Sequence, residues 1–577
     1  MRIIANVKNV LTILTIVLLG FLIRLVGINW DQGTFLHPDE RFFIMVTQEL
    51  EIPSSIKNYF SQESTLRVNN TNHKFYVYGT FPVALLKIIS SLVLDKENFS
   101  TLTSLGRTIS LFLETGTILV VFFLAKSFTK KYNLPKLTPF WSSLLYSLMV
   151  LPIQLSHFFT ADPFVTFFGL LAVVLFTLTE KKGSASKTNS TKSNLWIILS
   201  GISWGIAISS KIAAIFFAPL LLGLFLFYNF EKYLKNIDLK KINKIFLKAF
   251  FSGIIFLITT YATVRIINPE YFAFSSWFNF NLSNLFLKNI RTLQSWSTPG
   301  TWFPPATQWQ DRTPILFSLK NIFFFGLGIP QSIIVLGAIT WIFFKKTKTA
   351  LSFMLLWIIG FIVWQGNQFT QSLRYFYFLY PFLGLFGGIG ISIVQQKISR
   401  KKQFFLNIFL LIIIIIWPLM FLQIFMVNHT RVQATNWIRK NIPANSNLVY
   451  EYWDDALPLL YVPGINVPYK IEALPVFEKE STKKWEEIDG KINNTDYYIL
   501  SSNRAWASIS RLPERYPQTS EFYQDLFNEK NNFYLQKTFQ SYPSLKWLGI
   551  PITFNDQWAE EAFTVYDHPT GYIFEKK

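Results

Sequence analysis

Residues 404–427 read FFLNIFLLIIIIIWPLMFLQIFMV, and this stretch decides the fold class. It contains no charged residue and exceeds the roughly 20 apolar residues that a helix needs to cross a bilayer. The whole chain has 577 residues, of which 51% are hydrophobic, 18% aromatic and only 15% charged, which is too apolar for an ordinary soluble protein. We therefore expect an integral membrane protein.

Similar apolar runs recur along the chain and predict a mainly α, polytopic membrane protein of about eleven transmembrane helices. They start near Val10, Thr108, Leu137, Pro163, Leu195, Ile212, Ala249, Ile322, Ala350, Phe376 and Phe404. Beyond residue 431 the pattern changes to a helix (RVQATNWIRKNI), strands in NLVYEYWD and DYYILSS, and a closing strand pair around FTVYDHPTGYIF. The predicted organisation is a membrane domain over residues 1–430 and a small α/β domain over residues 431–577.

The formal net charge of +20 comes from basic residues in short segments between the apolar runs. This distribution argues against a nucleic-acid-binding face and follows the positive-inside rule. The segments that we assign to the cytoplasm are the N-terminus and residues 126–136, 181–192, 232–248, 345–348 and 397–402. The prediction is a multi-pass cell-membrane protein with a cytoplasmic N-terminus and an extracytoplasmic C-terminal domain. Because the chain has no cysteine, disulfides and thiolate metal sites are excluded.

Two outer connections are long enough to contribute to a site. Residues 29–107 contain YGTFPVALLKIISSLVL, an apolar stretch that predicts an interfacial or re-entrant helix and not a span. Residues 268–320 are rich in Trp, Pro and Thr. Such a loop either folds over a site as a lid or forms an aromatic belt at the membrane interface.

Acidic residues near the ends of spans are candidates for function, because charge beside hydrocarbon is costly. Asp39 and Glu40 follow the first span within the sequence HPDE and open a predicted helix. Two acids in a first turn also match the helix dipole, so a purely structural role stays open. Asp162 precedes Pro163, and helix capping alone explains that pattern.

Basic and histidine side chains map to the same outer face. They are Arg107, Arg374, Lys211, His37 and His157, with Tyr375 beside Arg374. For the two arginines the alternative role is snorkelling to the lipid head groups. Convergence of all these groups on one face, beside lipid, is the observation that favours a site.

Carboxylates and cations beside lipid suit a reaction between an anionic lipid head group and a hydroxyl acceptor. A sugar joined through phosphate to a polyprenol has a good leaving group, so the reaction mainly needs cations. Arg107, Arg374 or Lys211 are the candidates for holding the phosphate. The acceptor hydroxyl is a poor nucleophile and needs a carboxylate to take its proton, and Asp39 is the candidate base.

The ordered set of short motifs resembles the GT-C membrane glycosyltransferases over roughly residues 1–400. It consists of Asp39-Glu40 after the first span, Arg107 at the second, Asp162 at the junction of the third and fourth, and the late Arg374-Tyr375. The pattern is similar to the dolichyl-phosphate-mannose protein mannosyltransferase-like branch, which includes bacterial aminoarabinose transferases of lipid A. The resemblance implies a GT-C-type fold and an inverting single displacement with a polyprenyl-phosphate-linked sugar as donor. For the acceptor we expect a protein, a lipid or an envelope glycan.

The resemblance also implies roles for individual residues. Asp39 matches the acceptor-activating acid with Glu40 as its neighbour, Arg107 matches the donor-phosphate contact, and Asp162 matches the second acidic position. Some members of the family bind a divalent metal near the outer acids, so Asp39, Glu40 and Asp162 are the candidate ligands and metal dependence stays open.

Two departures limit what the resemblance implies. Where relatives often have His-Pro-Pro, this chain has Tyr78-Gly79-Thr80-Phe81-Pro82, so the donor sugar is not implied. The chain also lacks the long β-trefoil insertion of eukaryotic members, so a protein acceptor is not implied.

Two other classes of protein remain open. A transporter or flippase of lipid-linked sugars would carry charged or Gly/Pro-broken positions near the bilayer midplane, and Glu114 is the one candidate. A non-catalytic envelope assembly protein would bind a partner through its outer tail.

Overall fold

The computed structural model describes residues 2–179, 187–230, 239–273, 278–345, 350–459 and 468–577. Three of the basic segments predicted to be cytoplasmic, 181–192, 232–248 and 345–348, lie partly outside the described residues.

Helices make up the first three quarters of the chain. They are α1 (Arg2–Leu25), α2 (Pro38–Glu49), α3 (Ile56–Phe60), α4 (Phe81–Val93), α5 (Phe99–Tyr132), α6 (Thr138–Ser147), α7 (Val150–Leu155), α8 (Ala161–Thr177), α9 (Lys187–Ser210), α10 (Ala218–Phe230), α11 (Leu239–Ile267), α12 (Asn284–Trp296), α13 (Leu316–Asn321), α14 (Ile329–Phe344), α15 (Ala350–Gly366), α16 (Tyr380–Gln396) and α17 (Arg400–Met426). A 3-10 helix over Leu373–Leu379 precedes α16.

Among the described residues, five helical segments are long and apolar enough to cross a membrane. They are Phe99–Tyr132, Ser193–Ser210, Ala249–Ile267, Leu373–Gln396 and Arg400–Asn441. Shorter apolar helices of 10–17 residues accompany them. The chain is therefore a multi-pass membrane protein, whereas the number of eleven spans stays a prediction.

The third predicted span is broken into α6 and α7 at Leu148. Pro152 in α7 has no N–H, and in a continuous helix its ring would clash with the Leu148 carbonyl, four residues earlier. The Leu148 carbonyl accepts a hydrogen bond from Gln331 Nε2 at 2.9 Å instead. A neighbouring helix thus satisfies the backbone group that the proline frees, as hydrocarbon surroundings require.

In the first outer loop, α4 has 13 residues. A helix of this length is about 20 Å long, well short of the bilayer core of about 30 Å. It packs with α2 and α5 through one apolar cluster that includes Phe43, Val83, Leu86 and Leu102. The loop is therefore a folded structure that fixes α2, which carries Asp39.

The C-terminal region has a five-stranded sheet flanked by short helices. The elements are α18 (Thr430–Asn441), β1 (Asn447–Glu451), β2 (Lys470–Leu474), α19 (Thr482–Asn493), β3 (Tyr497–Leu500), α20 (Trp506–Ile509), α21 (Pro517–Phe527), β4 (Phe533–Phe539), α22 (Glu561–Thr564) and β5 (Gly571–Lys576). The strand order is β2-β1-β3-β5-β4, with β1 parallel to both neighbours and β5 antiparallel to both.

The predicted closing strand pair around FTVYDHPTGYIF is wrong. Phe563 and Thr564 end α22 and a turn follows them, whereas the last residues of the stretch belong to β5, which pairs with β3 and β4. The segment between β4 and β5 leaves the sheet, and its residues Leu545, Ala559 and Phe563 join the apolar core of the membrane helices. This excursion brings C-terminal side chains to the site described next.

Candidate functional site

Two cavities lie side by side where the first outer loop, the membrane helices and the C-terminal region meet. The large cavity, of about 680 Å³, lies between α2, residues 296–309 and the C-terminal region. The small groove, of about 270 Å³, lies between α8, residues 211–216 and the 3-10 helix that precedes α16. The residues that line both are Val77, Tyr78, Leu293, Arg374 and Tyr375.

The first turn of α2 places Asp39 at the large cavity. Pro38 is the first helical residue, and His37 caps the helix, its Nδ1 accepting a hydrogen bond from the Asp39 N–H at 3.2 Å. Successive residues of a helix point about 100° apart. Asp39 therefore lines the cavity, whereas the side chain of Glu40 is fully buried.

Asp39 forms an ion pair with Arg374, whose Nη1 donates a hydrogen bond to Asp39 Oδ2. Burial alone would raise the pKa of Asp39, but the Arg374 charge, with Lys211 adding to it, holds the pKa well below its ordinary value. Among the described residues, Nη1 is the only nitrogen of Arg374 with a hydrogen-bond partner. Its remaining guanidinium donors are available to a ligand.

Lys211 and Asp162 form a second ion pair in the small groove, with Nζ donating to Asp162 Oδ1 at 2.7 Å. The two side chains are only 14% and 10% exposed. Lys211 Nζ lies 5.5 Å from the ring centroid of Tyr375. The prediction that Asp162 caps α8 is wrong. Thr160 is the N-cap residue, and Asp162 lies within the first turn and forms the ion pair with Lys211.

Gly79 allows the first outer loop to approach the end of α9, next to Lys211. Its N–H donates to the Ser210 carbonyl at 2.9 Å, and a Cβ at this position would lie 1.8 Å from the Ser209 carbonyl oxygen. Only glycine permits this contact. The approach places the Tyr78 ring centroid 5.9 Å from Lys211 Nζ, so that both residues line the groove.

Apart from its ion pair and Arg374, the small groove is mainly apolar. The apolar lining residues are Val77, Val165, Ile212, Ala213, Phe216, Leu293, Phe361 and Phe378. Two cations beside apolar and aromatic walls match the chemistry of a lipid phosphate, in which an anionic group is attached to hydrocarbon.

Arg107 and Glu40 lie away from both cavities, in a buried cluster with Asp31. Arg107 donates to Asp31 at 2.8 and 2.9 Å and to Glu40 at 2.7 and 2.9 Å, and Glu40 also accepts from the Phe159 N–H at 2.8 Å. Neither Arg107 nor Glu40 is among the residues that line the cavities. Asp31, which the sequence reasoning missed, completes a structural cluster that holds the first outer loop on α5.

The two histidines also have packing roles. His157 is fully buried, stacks on Phe425 with ring centroids 3.6 Å apart, and bonds to the carbonyls of Ile153 and Val26. Burial lowers the pKa of His37 to about 3, so its ring is neutral and accepts from the Asp39 N–H. His37 thus positions the helix start and carries no proton at neutral pH.

The three candidate metal ligands do not form one ligand set. Asp39 pairs with Arg374, Glu40 with Arg107, and Asp162 with Lys211. Within the described ranges, no group of three His, Asp or Glu side chains lies close enough to hold one ion. The residues present do not fit a carboxylate metal site, and we derive no step through a metal.

The C-terminal region contributes Trp453, Arg504 and Tyr566 to the large cavity. Arg504 donates to the Trp453 carbonyl at 2.8 Å and to Glu561 at 2.7 Å. Trp453 has φ 74°, an uncommon conformation for a bulky residue, and keeps 40% of its surface exposed. Sequence reasoning did not single out Trp453, Arg504 or Tyr566, because their place in the cavity wall depends on how the C-terminal region packs on the outer loops.

The outer loop over residues 284–309 forms another wall of the large cavity. Trp296 stacks on Phe303 with ring centroids 4.4 Å apart, and Phe303 meets Trp453 edge-on at 5.3 Å. Arg515 Nη2 donates to the Thr301 carbonyl at 2.6 Å, which ties the loop to the C-terminal region. That this loop opens and closes as a lid stays a prediction.

The chain combines membrane helices, a folded first outer loop and a polar site next to a small C-terminal sheet. Residues 90–272 match the family model of dolichyl-phosphate-mannose-protein mannosyltransferase. The oligosaccharyltransferase of Archaeoglobus fulgidus in its apo form is similar to the chain with TM-score 0.53 and 13% identity, covering 98% of this chain and 88% of that one. The expected resemblance to GT-C enzymes is thereby confirmed at the level of the fold.

Two further solved structures are similar. AglB of Archaeoglobus fulgidus, in complex with an inhibitory peptide and a dolichol-phosphate, has TM-score 0.50 and 14% identity, covering 95% of this chain and 74% of that one. ArnT of Cupriavidus metallidurans in the apo state has TM-score 0.47 and 12% identity, covering 88% of this chain and 95% of that one. Comparison with curated protein sequences gives no match.

Proposed function

We propose that the protein is a glycosyltransferase that moves a sugar from a polyprenyl phosphate to a hydroxyl acceptor at the outer face of the cell membrane. The observation that carries this proposal is the Asp39–Arg374 pair at the junction of a cationic apolar groove and a larger polar and aromatic cavity. The complex of AglB with a dolichol-phosphate supports a lipid phosphate as the carrier of the donor.

In this proposal the small groove binds the donor. Arg374 and Lys211 neutralise the phosphate, and the apolar walls contact the first part of the polyprenyl chain. Asp162 acts by holding Lys211, whose Nζ it contacts at 2.7 Å. Arg107 is not assigned to the phosphate, because its donors are directed to Asp31, Glu40 and a backbone carbonyl.

The large cavity receives the acceptor, and Asp39 is the general base. The acceptor oxygen attacks the anomeric carbon, the bond from that carbon to the phosphate oxygen breaks, and polyprenyl phosphate leaves with the electron pair. Asp39 takes the hydroxyl proton. A single displacement of this kind inverts the configuration at the anomeric carbon.

The ion pair also explains how a carboxylate with a lowered pKa serves as a base. In the free protein the Arg374 charge keeps Asp39 ionised but weakly basic. A bound donor phosphate shares that charge, so the pKa of Asp39 rises towards the value that its burial favours. The base is therefore strengthened at the time when the donor is in place.

The proposed orientation puts both cavities outside the cytoplasm. Its support is the positive-inside rule applied to the basic segments, of which 126–136 and 397–402 lie within the described residues. With the N-terminus in the cytoplasm, the C-terminal region and its share of the large cavity face outward. The acceptor then reaches the site from the cell envelope, as a protein, lipid or glycan hydroxyl.

The test uses the purified protein in detergent with polyprenyl-phosphate-linked mannose, glucose, galactose and aminoarabinose, and measures release of polyprenyl phosphate. Each of Lys211→Gln and Arg374→Gln removes a hydrogen bond to the charged phosphate. Such a bond contributes roughly 1.5–3 kcal/mol, which corresponds to about a 10- to 150-fold fall in kcat/KM. The matched control is Lys483→Gln, an exposed residue of α19.

Turnover of one donor, reduced in both variants and unchanged in the control, supports the proposal. Tight binding of a donor by the wild-type protein without turnover, also after acceptors of all three classes are supplied, contradicts it and favours a transporter of lipid-linked sugars. Turnover that neither variant reduces contradicts the assignment of the groove.

A further inference from the structure

The segment 559–566 between β4 and β5 reaches back from the C-terminal region to the Asp39–Arg374 pair. Glu560 is buried, and its Oε1 accepts a hydrogen bond from Ser372 Oγ at 3.1 Å. Its two carboxylate oxygens accept from the Leu373 N–H at 2.9 and 2.8 Å. The backbone N–H of Glu560 in turn donates to Asn321 Oδ1 at 2.9 Å.

These hydrogen bonds fall at the start of the 3-10 helix that carries Arg374. Leu373 is the first residue of that helix, so its N–H has no acceptor within the helix. Glu560 supplies the missing acceptor, and both of its carboxyl oxygens face this N–H. The backbone next to Arg374 is therefore fixed by a side chain that is distant in sequence.

The same segment also contacts His37, which supports the other half of the ion pair. The ring of Tyr566 lies 4.4 Å from the ring of His37, centroid to centroid. His37 caps the helix that begins beside Asp39. One short segment thus contacts the backbone next to Arg374 through Glu560 and the capping residue next to Asp39 through Tyr566.

We propose that Glu560 is a positioning residue for Arg374, and that the segment 559–566 sets the geometry of the Asp39–Arg374 pair. Glu560 is absent from the lining of the large cavity and of the small groove, so it acts through Arg374 and not on the substrates. The kinetic part of this inference rests on the proposed glycosyl transfer, whereas the structural part does not.

The test compares wild type with Glu560→Gln and with the control Glu486→Gln, an exposed residue of α19. Both carboxyl oxygens of Glu560 accept from the Leu373 N–H, and the glutamine amide replaces only one of them, because its NH₂ group faces that N–H as a second donor. We expect Glu560→Gln to lower kcat/KM for the donor about ten-fold or more. In an Arg374→Gln background the same change is expected to have no further effect, because the two residues act in series.

Hydrogen exchange of the peptide around Leu373, measured without any donor, tests the structural part. Exchange of the Leu373 amide is expected to be about ten-fold faster in Glu560→Gln and unchanged in the control. If Glu560→Gln does not fold, Ser372→Ala is the second variant, and it removes only the hydrogen bond from the hydroxyl to Glu560. We expect a smaller fall in kcat/KM than for Glu560→Gln, and again no further fall in the Arg374→Gln background.

Unchanged exchange at Leu373, or an equal kinetic loss in the wild-type and Arg374→Gln backgrounds, overturns the inference. Faster exchange in a protein that consumes no donor supports the positioning contact and counts against the proposed function. The two failures are therefore distinguishable.

Discussion

Replacing Arg107 with glutamine is expected to destabilise the protein as a whole and not to weaken donor binding selectively. Arg107, Asp31 and Glu40 have side chains that are 2%, 1% and 0% exposed. Arg107 also donates to the Ile28 carbonyl at 3.0 Å. The substitution leaves two buried carboxylates without a cation.

The magnitude follows from that burial. Removing one partner of a buried ion pair costs about 3–5 kcal/mol, because the charge left behind has neither water nor a counter-ion. Net stabilities of folded domains are only about 5–15 kcal/mol. Burial raises the pKa of Glu40, and that rise will be larger without Arg107, so part of the cost is relieved by protonation.

The assay is thermal unfolding in detergent followed by tryptophan fluorescence. Arg291→Gln, at an exposed position of α12, is the matched control. Replacing the cluster together, as Asp31→Asn, Glu40→Gln and Arg107→Gln, is expected to recover part of the loss because no charge is left unpaired. An Arg107→Gln protein with unchanged stability and weaker binding of polyprenyl phosphate refutes this reasoning and restores Arg107 as a phosphate ligand.

Two further predictions concern the carboxylates of the site. The acid limb of kcat is expected at higher pH than the acid limb of kcat/KM, since kcat reports the donor-bound state, in which Arg374 is shared with phosphate. In the free protein the lowered pKa keeps Asp39 ionised until the pH falls below the ordinary range of aspartate. If the acid limbs of kcat and kcat/KM fall at the same pH, donor binding does not raise the pKa of Asp39, and the shared-charge account is contradicted. Asp162→Asn is expected to retain turnover within about ten-fold, because it perturbs only the support of Lys211. A loss as large as that of Asp39→Asn in the same assay makes Asp162 part of the chemistry.

Sequence alone was sufficient for the class of the fold, and it singled out several residues that line the two cavities. Long apolar runs indicate membrane helices because hydrocarbon accepts few other segments. Asp39, Lys211 and Arg374 were found because charges at the ends of spans are rare, and all three line the cavities. The ion pairs Asp39–Arg374 and Asp162–Lys211 were not predictable, since they depend on how the helices pack.

Glu40, Arg107 and Glu560 show which contacts local sequence reasoning does not predict. Glu40 and Asp39 are neighbours in sequence, but the helix turns one into the core and the other to the cavity. Arg107 was a candidate for the phosphate because of its place at the outer face and the family resemblance, and its contacts with Asp31 and Glu40 could not be predicted from the sequence. Glu560 contacts Leu373 across a long sequence separation, and the sequence around it gave no signal for that contact.

The most direct test of the proposed mechanism is donor turnover by Asp39→Asn, with Asp489→Asn at an exposed position of α19 as the control. Release of polyprenyl phosphate and binding of the intact donor are measured on the same preparations. The account predicts a fall in kcat of roughly 10²- to 10⁴-fold for Asp39→Asn with donor binding retained, as expected for loss of a general base. Turnover equal to wild type in Asp39→Asn would contradict it, and would leave Asp39 as a helix-start residue paired with Arg374.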